Sequence, residues 1–254
     1  RGSQQQLLAD FEDYLNGFSP NVQDILENFK FRHQLSTLSR ADAIGTLINK
    51  FLDPSIDLSP AGTDNHAMGT VFEELVRKFN EENNEEAGEH WTPRDAVRLM
   101  ANLVFLPIEA EIRSGTYLLY DCACGTGGML AEAQRYLREH NTEARLYAYG
   151  QDYNKPAFAT AASDMLMKEV SHNGGGDNIR YGDIFTEDQF PNETFDYFLS
   201  NPPFGVDWKK QQSVIVKERD KRGFDGRFGA GLPRVNDGAL LFLQHMWSKR
   251  EDVN

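Results

Sequence analysis

The stretch LLYDCACGTGGML, residues 118–130, runs an apolar, strand-like segment ending at Asp121 into a glycine-rich turn and then into a helix. No other segment restricts the possible folds as much. At the first strand–helix turn of an open α/β sheet, glycines let backbone amides approach a ligand at the helix N-terminus. Glycines in a tight turn also serve plain helix–strand packing, so the turn alone does not decide between ligand and packing. The same texture continues downstream. Strand TYLLYD (116–121) is followed by helix MLAEAQRYLREH (129–140), strand RLYAYG (145–150) and helix PAFATAASDMLMKEV (156–170). Then come a short strand near NIRYGD (178–183), strand FDYFLS (195–200), a long polar loop and helix GALLFLQHMWSK (238–249). Strands alternating with helices predict an α/β fold with a doubly wound, Rossmann-like parallel sheet. About four strands are legible, which leaves the fourth with an open edge.

Upstream, residues 7–85 read as helical. LLADFEDYLNGF, ADAIGTLINKFL and NHAMGTVFEELVRKFNEENN space apolar residues by three and four, punctuated by Ser19-Pro20, Asp53-Pro54 and Ser59-Pro60. We therefore expect an all-helical N-terminal domain over 1–88 and an α/β domain over 89–254. In WTPRDAVRLMANLVF, Thr92 reads as a helix N-cap, with Pro93 at the first helical position and Asp95 in the first turn.

Composition narrows the functional classes. No apolar run approaches the length of a membrane span and no secretory signal opens the sequence. The two cysteines, Cys122 and Cys124, are too close for a disulfide framework and too few for a zinc site, so no metal is expected and a reducing cytoplasm fits best. The net charge of −13 opposes unaided binding to nucleic acid. Residues 201–254 reverse the balance, with 10 basic and 7 acidic groups. Most of that excess is Lys209, Lys210, Lys217, Arg219, Lys221, Arg222 and Arg227. Such a run reads either as a solvated loop or as a flexible, phosphate-facing segment.

The spacing Gly125-x-Gly127-Gly128 matches neither the dinucleotide nor the phosphate-loop pattern. Asp152 ends the second strand, where a carboxylate can accept hydrogen bonds from ribose hydroxyls. Asp183 ends the third, where it can meet an adenine amino group. Each aspartate alone could be a turn former. Together, beside a glycine-rich turn without a phosphate cradle, they point to adenosine joined to something other than phosphates.

DCACGTGG, GQDYN, GDIF and NPPFG, in that order, resemble the S-adenosylmethionine and catalytic motifs of amino-group DNA methyltransferases. With EHWTPRDAVRLM upstream, most of residues 60–254 is similar to the modification subunit of type I restriction–modification systems, an N6-adenine DNA methyltransferase. Cys122 departs from the usual proline, and His90-Trp91 from a pair of smaller aromatics. The resemblance implies S-adenosyl-L-methionine as cofactor. Its pocket would draw on Glu89, His90, Trp91, Thr92, Pro93 and Arg94, on Asp121, Ala123, Cys124, Gly125, Thr126, Gly127 and Gly128, and on Asp152, Asp183 and Ile184. Thr92 and the following helix N-terminus would meet the methionine carboxylate. The catalytic set would be Asn201, Pro202, Pro203 and Phe204. Implied partners are DNA with a flipped adenine, a specificity subunit, a second modification subunit and a restriction subunit.

Chemistry gives NPPF its sense. An adenine amino group is a poor nucleophile because its lone pair is delocalised into the ring. The Asn201 side-chain oxygen and the Pro202 carbonyl can accept its two N–H bonds, and the donor-free prolines hold that carbonyl fixed. Phe204 can stack on a base that has left the duplex. A glutamine amide poses the same problem, so a protein glutamine methyltransferase is a second reading. An assembly subunit that keeps the fold without catalysis is a third.

Overall fold

The computed structural model describes residues 2–59, 61–63, 65–82, 92–141, 143–168 and 178–251. The N-terminal part is helical: α1 (Gly2–Asn16), α2 (Pro20–Asn28), α3 (Phe31–Arg40), α4 (Ile44–Phe51) and α5 (Asn65–Glu82). After α6 (Arg94–Phe105) the alternation starts, with β1 (Gly115–Asp121), α7 (Gly128–His140), β2 (Ala144–Asp152) and α8 (Lys155–Met167). It continues through β3 (Ile179–Tyr181), β4 (Tyr197–Phe198), α9 (Gln212–Arg222) and α10 (Ala239–Ser248). Among the described residues no helix is long and apolar enough to cross a membrane.

Among the described residues four strands form one parallel sheet, in the order β3-β2-β1-β4. The chain steps outward from β1 to β3, then returns to the other side of β1 to lay down β4. The order therefore reverses between β1 and β4, and in open α/β sheets the C-terminal ends of the strands at such a reversal are where ligands bind. Alternation along β1 separates two cores. Leu119 packs with Phe105 of α6, Leu130 and Leu137 of α7 and Met165 of α8. Tyr120 points the other way, to Phe195, Ile215 of α9, Phe228 and Leu241 of α10. Its ring stacks on Phe195 at 4.6 Å and 12°. Each fully buried side chain of this size is worth about 1.5–3 kcal/mol, so the two faces of β1 anchor the body.

Three expectations change. The polar loop after β4 contains helix α9, which ends at Gly223, whose φ of 52° suits glycine. The segment leading into β4 is paired on its outer side: the Phe195 N–H donates to the Lys249 carbonyl at 2.9 Å and the Glu251 N–H to the Phe195 carbonyl at 3.2 Å. These bonds form a parallel bridge between Phe195 and Arg250. The cap of α6 shifts by one residue, since Pro93 holds the N-cap position and the Val97 N–H reaches its carbonyl at 3.0 Å.

The expected boundary at 88/89 lies outside the described residues. On either side of it the parts are packed together. Ile25 of α2 is buried in the same cluster as α7 and α8. Helix α5 approaches α8 so closely at Gly69 that an added Cβ would stand 2.5 Å from Lys168 Cε.

Candidate active site

The site residues gather at the C-terminal ends of the four strands. Asp121 closes β1 and is almost fully buried. Its Oδ1 accepts the Ala123 N–H at 3.0 Å, and the Ser200 hydroxyl, at the end of β4, donates to the same carboxylate. Burial pushes the Asp121 carboxyl up to about 7 against the pull of these bonds, and the neighbouring Asp152 carboxylate pushes the same way. Among the described residues no cation pairs with it to offset that cost. Ser200 also sits 3.6 Å from the Cys122 sulfur, which ties β1 to β4 across the reversal point.

The glycine-rich turn is held from the second strand. Asp152 Oδ2 accepts the Gly125 N–H at 2.8 Å, and its Oδ1 accepts the Asn154 N–H at 2.8 Å. The Cys124 N–H donates to the Gln151 carbonyl at 3.2 Å. Glycine is required at 127 for two reasons: its φ is 85°, and an added Cβ would lie 3.2 Å from the Ala161 Cβ of α8. Thr126 is half-buried in this turn, and Gly128 opens α7 with clear space where a Cβ would stand. Burial pushes both cysteine thiols well above their ordinary value, so Cys122 and Cys124 are small neutral turn residues.

Asp183 follows β3. Its Oδ1 accepts the Phe185 N–H at 2.9 Å, and its Oδ2 accepts Gln211 Nε2 at 2.6 Å. Gln211, just before α9, did not stand out in the sequence, and its side-chain oxygen is buried without a partner among the described residues. Ile184 is buried beside Asp183.

The NPPF segment follows the end of β4. Pro202 and Pro203 are half-buried, Asn201 is exposed, and the Phe204 ring is 84% exposed. Asn201 Nδ2 donates to the Thr92 hydroxyl at 3.2 Å, a contact spanning 109 residues. Thr92 is thus brought to the NPPF segment, with Pro93 beside it. Glu89, His90 and Trp91 lie outside the described residues, as does the Arg94 side chain.

The basic run divides. Lys209, Lys217 and Lys221 line a groove along α9 with Gln212, Ser213, Val216 and Asp220. Lys210 and Arg222 are exposed, and Arg219 pairs with Asp220 at 2.7 Å. Arg227 belongs elsewhere, a correction to the sequence grouping. Its guanidinium turns inward, pairs with Glu218 at 2.7 Å, and donates to the carbonyls of Ile184 at 2.6 Å and Phe185 at 3.1 Å. With only 15% of its side chain exposed, it joins α9 to the segment after β3 and has little surface to offer a phosphate.

A doubly wound sheet with a glycine-rich first turn and acidic strand ends has the Rossmann-like fold of S-adenosylmethionine-dependent methyltransferases. A family model for N-6 DNA methylases matches residues 63–253, and the chain belongs to that family. The MjaIX methylase subunit of a type I restriction enzyme from Methanocaldococcus jannaschii is 29% identical over 201 residues, covering 78% of this chain and 33% of that protein. The HindI methylase subunit from Haemophilus influenzae is 25% identical over 181 residues, covering 70% and 36%. The chain thus spans about a third of the length of these curated relatives. Among solved structures, the methyltransferase subunit of a type I restriction–modification system from Streptococcus thermophilus has a TM-score of 0.64 at 24% identity. That match covers 84% of this chain and 42% of the other. A protein from Listeria monocytogenes assigned to the class I S-adenosylmethionine-dependent methyltransferases has a TM-score of 0.60 at 12% identity, covering 98% and 71%. Both likenesses are of fold.

Proposed function

We propose that this chain carries the cofactor and catalytic residues of a type I modification subunit and methylates the N6 amino group of adenine in DNA. The observation that carries the reading is the placement of Asn201, Pro202 and Phe204 beyond β4, beside the Asp121 end of β1 at the reversal of strand order. Membership of the N-6 DNA methylase family supports the same substrate atom.

The residues present fit S-adenosyl-L-methionine. Asp121 is a buried carboxylate whose hydrogen-bond partners among the described residues include no cation, and a cationic ligand would relieve its desolvation. Asp152, the amides of the glycine-rich turn and Asp183 with Ile184 would hold the rest. When bound, S-adenosylmethionine supplies an electrophilic methyl group on a sulfonium. The chain's own task is to prepare the amine. The Asn201 oxygen and the Pro202 carbonyl accept its two N–H bonds, so that its lone pair leaves conjugation with the ring. Both acceptors are fixed before positive charge develops on the nitrogen, so no reorganisation is required at that moment. Phe204 offers an open face on which an extruded base stacks.

DNA is reached through the exposed cations of the α9 groove. Base recognition belongs to a specificity subunit, and a second modification subunit and a restriction subunit complete the assembly. The test is methyl transfer to DNA by the assembled complex. Asn201→Ala should lower the rate by roughly 10²–10³-fold, the scale for removing one preorganised hydrogen-bonding group. Affinity for S-adenosylmethionine should stay within a few fold of wild type. Wild-type rates in that variant would defeat the mechanism.

A further inference from the structure

We infer that Thr92 is a positioning residue for Asn201, anchoring its amide where the oxygen end can meet the substrate; this rests on the adenine-methylation reading above. An asparagine amide has two unlike ends of nearly equal size, and rotation about its last side-chain bond exchanges them. Only the oxygen end can accept a hydrogen bond from an amine. The nitrogen end would set donor against donor. Asn201 is exposed, so surrounding packing does little to choose between these orientations. The Thr92 hydroxyl accepts from Nδ2 at 3.2 Å; because a hydroxyl can also donate, it anchors the amide, and the substrate amine, which can only donate, selects the oxygen end. With the nitrogen end so engaged, the oxygen end is left for the substrate. Once an amine donates to that oxygen, the arrangement with Nδ2 on Thr92 satisfies every group.

The contact is built from stiff parts. Thr92 and Asn201 each stand immediately before a proline, Pro93 and Pro202, and a proline confines the preceding residue to extended backbone. Thr92 is carried by the start of α6, whose Val97, Ala101 and Phe105 are buried against the core. Asn201 follows β4, which is hydrogen-bonded to β1. Two rigid supports far apart in sequence thus hold one weak bond.

The experiment compares Thr92→Val and Thr92→Ser with wild type in the assembled complex. Thr92→Val should lower kcat about 5- to 10-fold, the range for losing one such bond. Its KM for DNA should stay within twofold, and any change in its Kd for S-adenosylmethionine, read by calorimetry, should be smaller than the loss in kcat. Thr92→Ser keeps the hydroxyl and should restore kcat. In the 15N-labelled chain the Asn201 side-chain amide pair, identified by its loss in Asn201→Asp, should shift in Thr92→Val and stay near its wild-type position in Thr92→Ser. An unchanged kcat or an unmoved amide signal in Thr92→Val would overturn the inference. So would a weakened Kd accounting for the whole loss, since Thr92 would then serve the cofactor. An inactive wild-type complex would instead overturn the reaction on which the role depends. The two failures differ in whether wild-type activity survives.

Discussion

Asp152 already accepts two backbone amides, from Gly125 and Asn154, so removing it strikes both the turn and any ribose bound there. Asp152→Ala should weaken S-adenosylmethionine binding by about 10- to 150-fold, as expected for losing 1.5–3 kcal/mol of charged hydrogen bonding. Titration calorimetry together with a melting curve reads both effects. Unchanged affinity in a folded variant would remove Asp152 from the pocket. His245 carries a pH prediction. Burial lowers its pKa to about 3, Arg227 and Lys249 acting in the same direction and Asp188 and Glu218 opposing them. Tyr120 Oη lies 3.1 Å from its Nε2, and Arg227 3.2 Å from its Nδ1. The unfolded chain protonates this histidine near 6.5 and the folded one does not, so stability falls as pH drops from 6.5 toward 3. Asp121 acts in the opposite sense. Its folded pKa lies above the unfolded value, so its contribution improves as pH falls from about 7 toward 3.8. His245→Gln should therefore flatten the decline in melting temperature between about pH 6.5 and 4. An equally steep profile would show that other groups govern it.

Helix α9 divides one run of positive charge between two surroundings. Its groove carries Lys209, Lys217 and Lys221 outward, while Glu218 faces in toward Arg227. Burial pushes the Glu218 carboxyl up, but hydrogen bonds and charge from Arg227 hold it below the usual value, so the pair stays ionised. Arg227→Ala would strand that carboxylate and leave the carbonyls of Ile184 and Phe185 without their donor. A loss of about 3 kcal/mol follows, seen as a lower denaturation midpoint at unchanged slope. Replacing Lys209, Lys217 and Lys221 by Gln should leave stability unchanged within about 0.5 kcal/mol. It should weaken DNA binding by the complex across sequences and reduce the salt slope by roughly one for each phosphate no longer neutralised. If Arg227→Ala lowered DNA affinity at full stability, the division drawn between these residues would be wrong.

At the scale of the molecule, the helical N-terminal region and the α/β body share a core. Ile25 packs with α7 and α8 residues, and α5 lies against α8 at Gly69. Calorimetric melting should give a single transition. Ile25→Ala should lower it as a whole by about 2–4 kcal/mol, the range for emptying a buried isoleucine site. Two separate transitions, with only the first shifted, would show that the helical region folds independently.

The elements readable in the residues alone were those whose signal is local. Alternating strand and helix texture, the glycines of the first turn, aspartates at strand ends and the NPPF segment all lie within short windows, where side-chain period and turn chemistry speak directly. Helix α9 was not legible because Ile215 is its one buried residue, so it carries no apolar stripe. The inward turn of Arg227 depends on Glu218, nine residues back, and on carbonyls 42 and 43 residues away. Gln211 meets Asp183 across 28 positions, and Thr92 meets Asn201 across 109. A charge or an amide in a sequence has no direction. Only packing of the sheet and its helices decides whether it faces solvent, a buried partner or the site, because desolvation makes an inward position costly unless a partner is already there.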